Sequence, residues 1–166
     1  MSPATRPCIQ FQLGGDGFGV PLDCVREVIT AASIACVPLA PPVVKGVANV
    51  RGRVVTLIDM GRVYGRPPVP ARRDDDRIAI VLAPPWENIA LYVHSPVEIA
   101  DVSVEAVDRA SASPDARESA DAGAPAVCDG RIMHLVSVDD VIARCRQDIL
   151  SGFLRSGKER AGNDTP

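Results

Sequence analysis

Aromatic residues are scarce in this sequence: three Phe, two Tyr and one Trp make up 4% of 166 residues. A core with so few rings has to be filled by Val, Ile, Leu and Ala, a palette rich in β-branched side chains that suits strands. Histidine is scarcer still. His94 and His134 are the two present, and neither stands in an H-E-x-x-H or other ligand spacing, so metal catalysis has no visible centre. The five cysteines (Cys8, Cys24, Cys36, Cys128 and Cys145) are odd in number and scattered, with no C-x-x-C pair. Neither a disulfide framework nor a zinc site is indicated, and reduced, mostly buried thiols are expected. No apolar run approaches the roughly 20 residues of a membrane span. Met1 to Cys8 has neither the charged start nor the apolar stretch of a signal peptide. A cytoplasmic protein without direct membrane contact is expected. Positive charge is also short: the formal net charge is −3 and the pI about 5.3, with no basic stripe interleaved with aromatics, which argues against nucleic acid as a partner.

What is present reads as strands. Ile9, Phe11 and Leu13 alternate with Gln10 and Gln12, and Phe18, Val20 and Leu22 repeat the period across Gly14-Gly15-Asp16-Gly17. This predicts a β-hairpin. Asp23 then caps a short helical turn in which Val25, Val28 and Ile29 stand at helical spacing, with Glu27 on its open face. Ile34 to Val37 reads as a short strand stopped by prolines. Gly46–Val50 and Arg53–Ile58 form a second hairpin about Arg51-Gly52, and Met60–Tyr64 a brief helical turn. Arg66–Asp76 is a solvated loop. Ile78–Leu82 and Ile89–Val93 pair around Pro84 to Asn88, and Asp108–Pro125, nearly free of large apolar residues, reads as a long flexible loop. Arg131–Val138 is a strand. Ser137 and Asp140 then open a helix bearing Val138, Val141, Ile142, Cys145 and Ile149 on one face and running to about Leu154.

The sequence also repeats itself. Gly52-Arg53-Val54-Val55-Thr56-Leu57-Ile58 is echoed by Gly130-Arg131-Ile132-Met133-His134-Leu135-Val136 at an offset of 78. Phe18, Val20, Leu22, Glu27 and Val28 are echoed by Ile89, Leu91, Val93, Glu98 and Ile99 at an offset of 71. A duplicated unit of short strands predicts two small barrels packed together. One domain over 8–154 is expected, with pseudo-repeated halves near 8–76 and 77–154, an exchange of chain ends between them left open, and a polar tail at 155–166.

A search for chemistry finds none. Gly14 to Gly19 lacks the G-x-x-x-x-G-K-[ST] pattern and joins strand to strand. Ser95 has no glycine-flanked nucleophile motif, and Asp59 has no second acid nearby in sequence. Neither an enzyme nor a cofactor is expected. What remains is charge beside glycine: Glu27, Lys45-Gly46 and Arg51-Gly52. Two readings stand at Arg51, a solvated turn charge or an interface guanidinium.

These same residues carry a pattern. Val25-Arg26-Glu27-Val28-Ile29, Val37-Pro38, Val44-Lys45-Gly46-Val47-Ala48-Asn49-Val50-Arg51-Gly52 and Val55-Thr56-Leu57-Ile58-Asp59 resemble the signature of the CheW family of chemotaxis coupling proteins. The likeness is continuous over Phe11–Gly65 and looser over Ile78–Ile99 and Gly130–Ile142. It departs at Val93-His94, where relatives often read Val-Asp, in the 108–125 loop, and at Gly123-Ala124-Pro125-Ala126. The resemblance implies an all-β fold of two intertwined SH3-like five-stranded barrels with short helices and a C-terminal helix. It implies a scaffold joining methyl-accepting chemoreceptors to a CheA-type histidine kinase, recruited to membrane-associated receptor arrays. Receptor-binding positions implied by the motif are Val25, Glu27, Lys45, Gly46, Arg51 and Gly52, in a groove between the barrels; kinase-binding residues are left unassigned. The alternatives are a CheW-like adaptor for a non-motility or surface-motility pathway, and a small-ligand-binding β-barrel.

Overall fold

Alternating and continuous apolar runs become ten strands and two helices in a computed structural model that describes residues 5–66, 77–94, 97–103 and 124–161. In chain order the strands are β1 (Thr5–Leu13), β2 (Asp16–Pro21), β3 (Val25–Thr30), β4 (Val44–Val50), β5 (Arg53–Asp59), β6 (Ile78–Leu82), β7 (Ile89–Val93), β8 (Glu98–Ser103), β9 (Ala124–Cys128) and β10 (Arg131–Leu135). The helices are α1 (Met60–Val63) and α2 (Val138–Ala161), with a 3-10 turn at Leu22–Cys24.

Five strands close a barrel in the order β1-β2-β10-β9-β8, and five form a second sheet in the order β3-β6-β7-β5-β4. The repeat seen in the sequence explains both. In the closed barrel β10 pairs with β2 in parallel, His134 opposite Phe18. In the second sheet β5 pairs with β7 in parallel, Thr56 opposite Ile89. The offsets of 78 and 71 carry one pair onto the other. Each sheet takes two strands from one half of the chain and three from the other, so the sheets are intertwined.

The main core lies between the sheets. Ile9, Phe11, Phe18 and Val20 meet Ile80, Leu82, Leu91 and Val93 there, and Val141, Ile142 and Cys145 of α2 cover the seam. The opposite face of β6 and β7, with Ala79, Val81, Ala90 and Tyr92, fills the second sheet's concave side. Burial on both faces is why these two strands are continuous apolar runs. Inside the closed barrel Cys8, Val102, Ala126, Cys128 and Met133 pack together, so its axis is occupied by side chains. Ser137 Oγ accepts from Asp140 N at 3.3 Å, as the capping pattern predicts.

Four expectations need correcting. Val25–Thr30 is a strand, not a helical turn; its burial alternates residue by residue, and five residues with three β-branched apolar side chains fit either period until pairing with β6 decides. The expected strand at Ile34–Val37 is reduced to an isolated bridge between Ala35 and Val47. Ala124 and Pro125, assigned to the long loop, open β9, and α2 continues to Ala161 through residues assigned to the tail. The expected loop at 67–76, most of the 108–125 loop and Ser95 lie outside the described residues.

Candidate functional site

The turn between β4 and β5 is a two-residue loop, Arg51-Gly52, joining the Val50–Arg53 pair. Arg51 has φ 52° and Gly52 φ 83°, both in the left-handed region, which is the type I′ geometry that matches strand twist. Asn49 stabilises it by accepting from Gly52 N through Oδ1 at 2.8 Å. An arginine at such a position has its side chain thrown outward, and 82% of it is exposed. Its Nε lies 3.1 Å from Glu27 Oε2 on β3. β3 and β4 are the two edges of the second sheet, so this ion pair spans the sheet's open seam. Glu27 itself shares a half-buried face with Val25 and Ile29, not the open face of a helical turn, and 21% of its side chain is exposed.

Lys45 and Gly46 sit at the other end of β4. Arg51 lies six positions beyond Lys45, roughly 20 Å at the usual rise. Lys45 is the extra residue of a bulge between the Val44–Ile58 and Gly46–Leu57 pairs, and Gly46 beside it has φ 149°. A Cβ there would run into the Ala35 carbonyl oxygen and Ile34 Cγ2. Its role is to let the 34–35 segment approach β4. Lys45 places Nζ 5.5 Å from the centroid of the Tyr92 ring, a contact worth about 0.5–1 kcal/mol at an exposed site. Val25, at the start of β3, packs half-buried against the central core. The six candidates therefore occupy three places: Glu27, Arg51 and Gly52 together, Lys45 with Gly46, and Val25 on the core.

An open hollow of about 1100 Å³ lies along β4 from Lys45 to Asn49, walled by Ile34, Ala35, Val47 and Ala48; of the six candidates, Lys45 lines it. At its Lys45 end stand Arg77, Tyr92 and His94, brought there because β6 begins and β7 ends at that edge. Tyr92 and His94 meet edge to face, with centroids 4.7 Å apart. Burial pushes the His94 pKa down, Asp59 pushes it up, and Lys45 and Arg77 push it down again. Tyr92 is raised, by burial first, so its hydroxyl keeps its proton. Arg77 and Tyr92 carried no motif and went unnoticed in the sequence; His94 was visible as a departure from the family pattern.

Asp59 is a structural group. Its Oδ1 accepts from Arg62 N at 3.2 Å and caps α1. No group of acidic, histidine and cysteine side chains suited to a metal ion occurs among the described residues.

The family model for the CheW-like domain matches residues 7–146. The chain belongs to the CheW family. It is a non-catalytic scaffold adaptor of the chemotaxis type. No curated protein matches the sequence. Among solved structures, the chain is similar to the scaffolding protein TtCheW from Thermoanaerobacter tengcongensis, with a TM-score of 0.61 and 21% identity over 81% of this chain and 90% of that one. At that identity the likeness speaks to the fold, and it agrees with SH3-like barrels in this CheW-family chain. No helix among the described residues is long and apolar enough to cross a membrane.

The repeat leaves a further mark on the surface of this CheW-family chain. Val28 and Ile99, related by the offset of 71, are 37% and 68% exposed. Val54 and Ile132, related by 78, are 68% and 42% exposed. Each sheet thus presents large apolar side chains at equivalent positions, which scattered surface residues would not do.

Proposed function

We propose that this scaffold couples methyl-accepting chemoreceptors to a CheA-type histidine kinase, working from the cytoplasm at receptor arrays. The reading is carried by the Arg51 turn. A left-handed arginine beside glycine, latched by Asn49 and leaning on Glu27, holds a charged fork outside the fold at a fixed position. Such a group gives little stability, because an ion pair with one exposed partner contributes about 0–1 kcal/mol. Its value lies in orientation and charge matching toward a partner. The receptor's helical tip docks along the seam, with Glu27, Arg51 and Gly52 at one end, Lys45 and Gly46 at the other, and Val25 contributing apolar wall. Val54 lines the hollow, whereas the exposed Val28, Ile99 and Ile132 stand outside it and support further protein contact, which we assign to the kinase.

The test is reconstitution of the full chain with a CheA-type kinase and a receptor cytoplasmic fragment encoded by the same organism, following kinase autophosphorylation. The chain should stimulate the kinase strongly. Arg51→Glu should stay folded, losing less than about 1 kcal/mol, and lose most of the stimulation. Full stimulation by folded Arg51→Glu sinks the site. No stimulation with any encoded kinase–receptor pair favours an adaptor serving a non-motility pathway, to which the Val93-His94 departure also points.

A further inference from the structure

The Lys45 end of the hollow has a chemistry that the docking of an apolar helix face does not need. Lys45, Arg77 and His94 line it, and among the described residues no Asp or Glu does. In a chain of net charge −3 this is a local concentration of positive charge. Lys45 forms no ion pair among the described residues; it rests over Tyr92. The acid acting on His94 among the described residues is Asp59, and that carboxylate already accepts from Arg62 N and lies 3.9 Å from Arg62 Nε. His94 Nδ1 is buried with no hydrogen-bond partner. A buried N–H without an acceptor is the rarer and costlier orphan, so the neutral ring carries its proton on Nε2 and is a donor there.

We propose that this end of the hollow is an oxyanion subsite that takes the carboxylate of an Asp or Glu side chain from the docked protein partner. Lys45 supplies the charge, and His94 supplies a neutral donor. The Tyr92 ring holds the Lys45 ammonium in place. This rests on the reading of the seam as a docking groove. A carboxylate there strengthens in proportion to how much water the partner excludes, because a charge-assisted hydrogen bond gains as the local dielectric falls. It also gives register: an acid on the partner helix can meet Lys45 at one axial position, fixed roughly 20 Å along β4 from the Arg51 turn.

Two arms test this on the full chain. In the first, sodium acetate is titrated while NMR follows the Lys45 ε-methylene and the His94 ring. Saturable shifts at both are expected, with the His94 pKa rising as acetate binds. Lys45→Met should abolish the His94 shift, and His94→Asp should abolish the Lys45 shift by placing a carboxylate against Lys45 from within. Circular dichroism and a dispersed amide spectrum confirm that each variant is folded. Absent shifts, or shifts that persist in folded Lys45→Met, overturn the subsite whatever happens with the kinase. In the second arm, each acid of the receptor fragment is replaced in turn by Asn or Gln and binding is measured to wild type and Lys45→Met. One replacement should weaken binding to wild type about tenfold and leave binding to Lys45→Met unchanged. If acetate binds but no receptor acid couples to Lys45, a free small anion is the occupant and the partner assignment is wrong. If no receptor fragment binds at all, the coupling function fails, and the partner assignment with it, while the acetate arm still decides the subsite.

Discussion

At the scale of single residues, the motif mixes two kinds of glycine that the sequence cannot separate. Gly46 and Gly52 both follow a basic residue and both have positive φ. Only at Gly46 would a Cβ meet backbone, that of Ala35; at Gly52 nothing lies within 4 Å. Gly46→Ala should therefore lose about 2–4 kcal/mol, from backbone strain plus overpacking, and Gly52→Ala about 1–2 kcal/mol from the left-handed conformation alone. Urea unfolding of the two variants checks this, and equal losses would contradict the close approach of the 34–35 segment. Binding defects at Gly46 then report on the seam's shape, whereas those at Gly52 report on how Arg51 is aimed.

His134 gives a second test at this scale. It is buried in mid-strand at 8% exposure and lies 5.1 Å from the Phe18 ring, centroid to centroid. Burial pushes its pKa below the ordinary 6.5, with Asp16 raising and Arg66 lowering it. The unfolded chain thus binds this proton more readily than the folded one. Stability is complete above about pH 6.5 and falls as pH drops through the folded value. His134→Gln should flatten the part of the slope below pH 6.5 that belongs to this ring. An imidazole titrating above 6.5 in the native protein would show that the sign is wrong.

At the scale of elements, legibility followed the length of the pattern. The hairpins at Gly14-Gly15 and Arg51-Gly52 were plain because alternating runs flank residues that accept left-handed backbone, and both form as two-residue loops. The helical stripe Val138, Val141, Ile142, Cys145 was plain because it spans two turns, and all four residues are buried. β3 was misread because five residues are too few to separate a period of 3.6 from one of 2. β8 and β9 were missed for a different reason. Glu98–Ser103 buries Val102 alone on one face, and Ala124–Cys128 has Ala126 and Cys128 as its buried residues. Small residues fill the narrow interior of the closed barrel, so neither strand carries the large apolar alternation by which strands are found. The functional hollow was invisible for a third reason. Arg77, Tyr92 and Lys45 are far apart in sequence, and the parallel β5–β7 pairing that joins the β4–β5 hairpin to β6 and β7 is non-local.

At the scale of the whole molecule, the exchange of strands decides how the protein must fold. The half 8–76 carries most of β1 and all of β2 to β5, and the half 77–154 carries β6 to β10 with most of α2. Neither half can make the observed closed barrel, which needs β1 and β2 from the first and β8, β9 and β10 from the second. Nor can either complete the central core, where Phe11 and Phe18 from the first half pack in one cluster with Ile80, Leu91 and Val141 from the second. Each half alone would expose unpaired strand edges and a broad apolar face, the conditions that favour aggregation over a stable fold. The full chain should therefore unfold in one cooperative transition despite having two sheets. The fragments 8–76 and 77–154, expressed apart, should show no cooperative melt, and mixed at equal concentration they should form a one-to-one complex with restored strand signal and a single transition. Circular dichroism and size-exclusion chromatography read both results. A half that melts cooperatively as a monomer would mean that its own five strands can close on themselves, so that the exchange is a choice between two barrels of similar stability and not a requirement of the sequence.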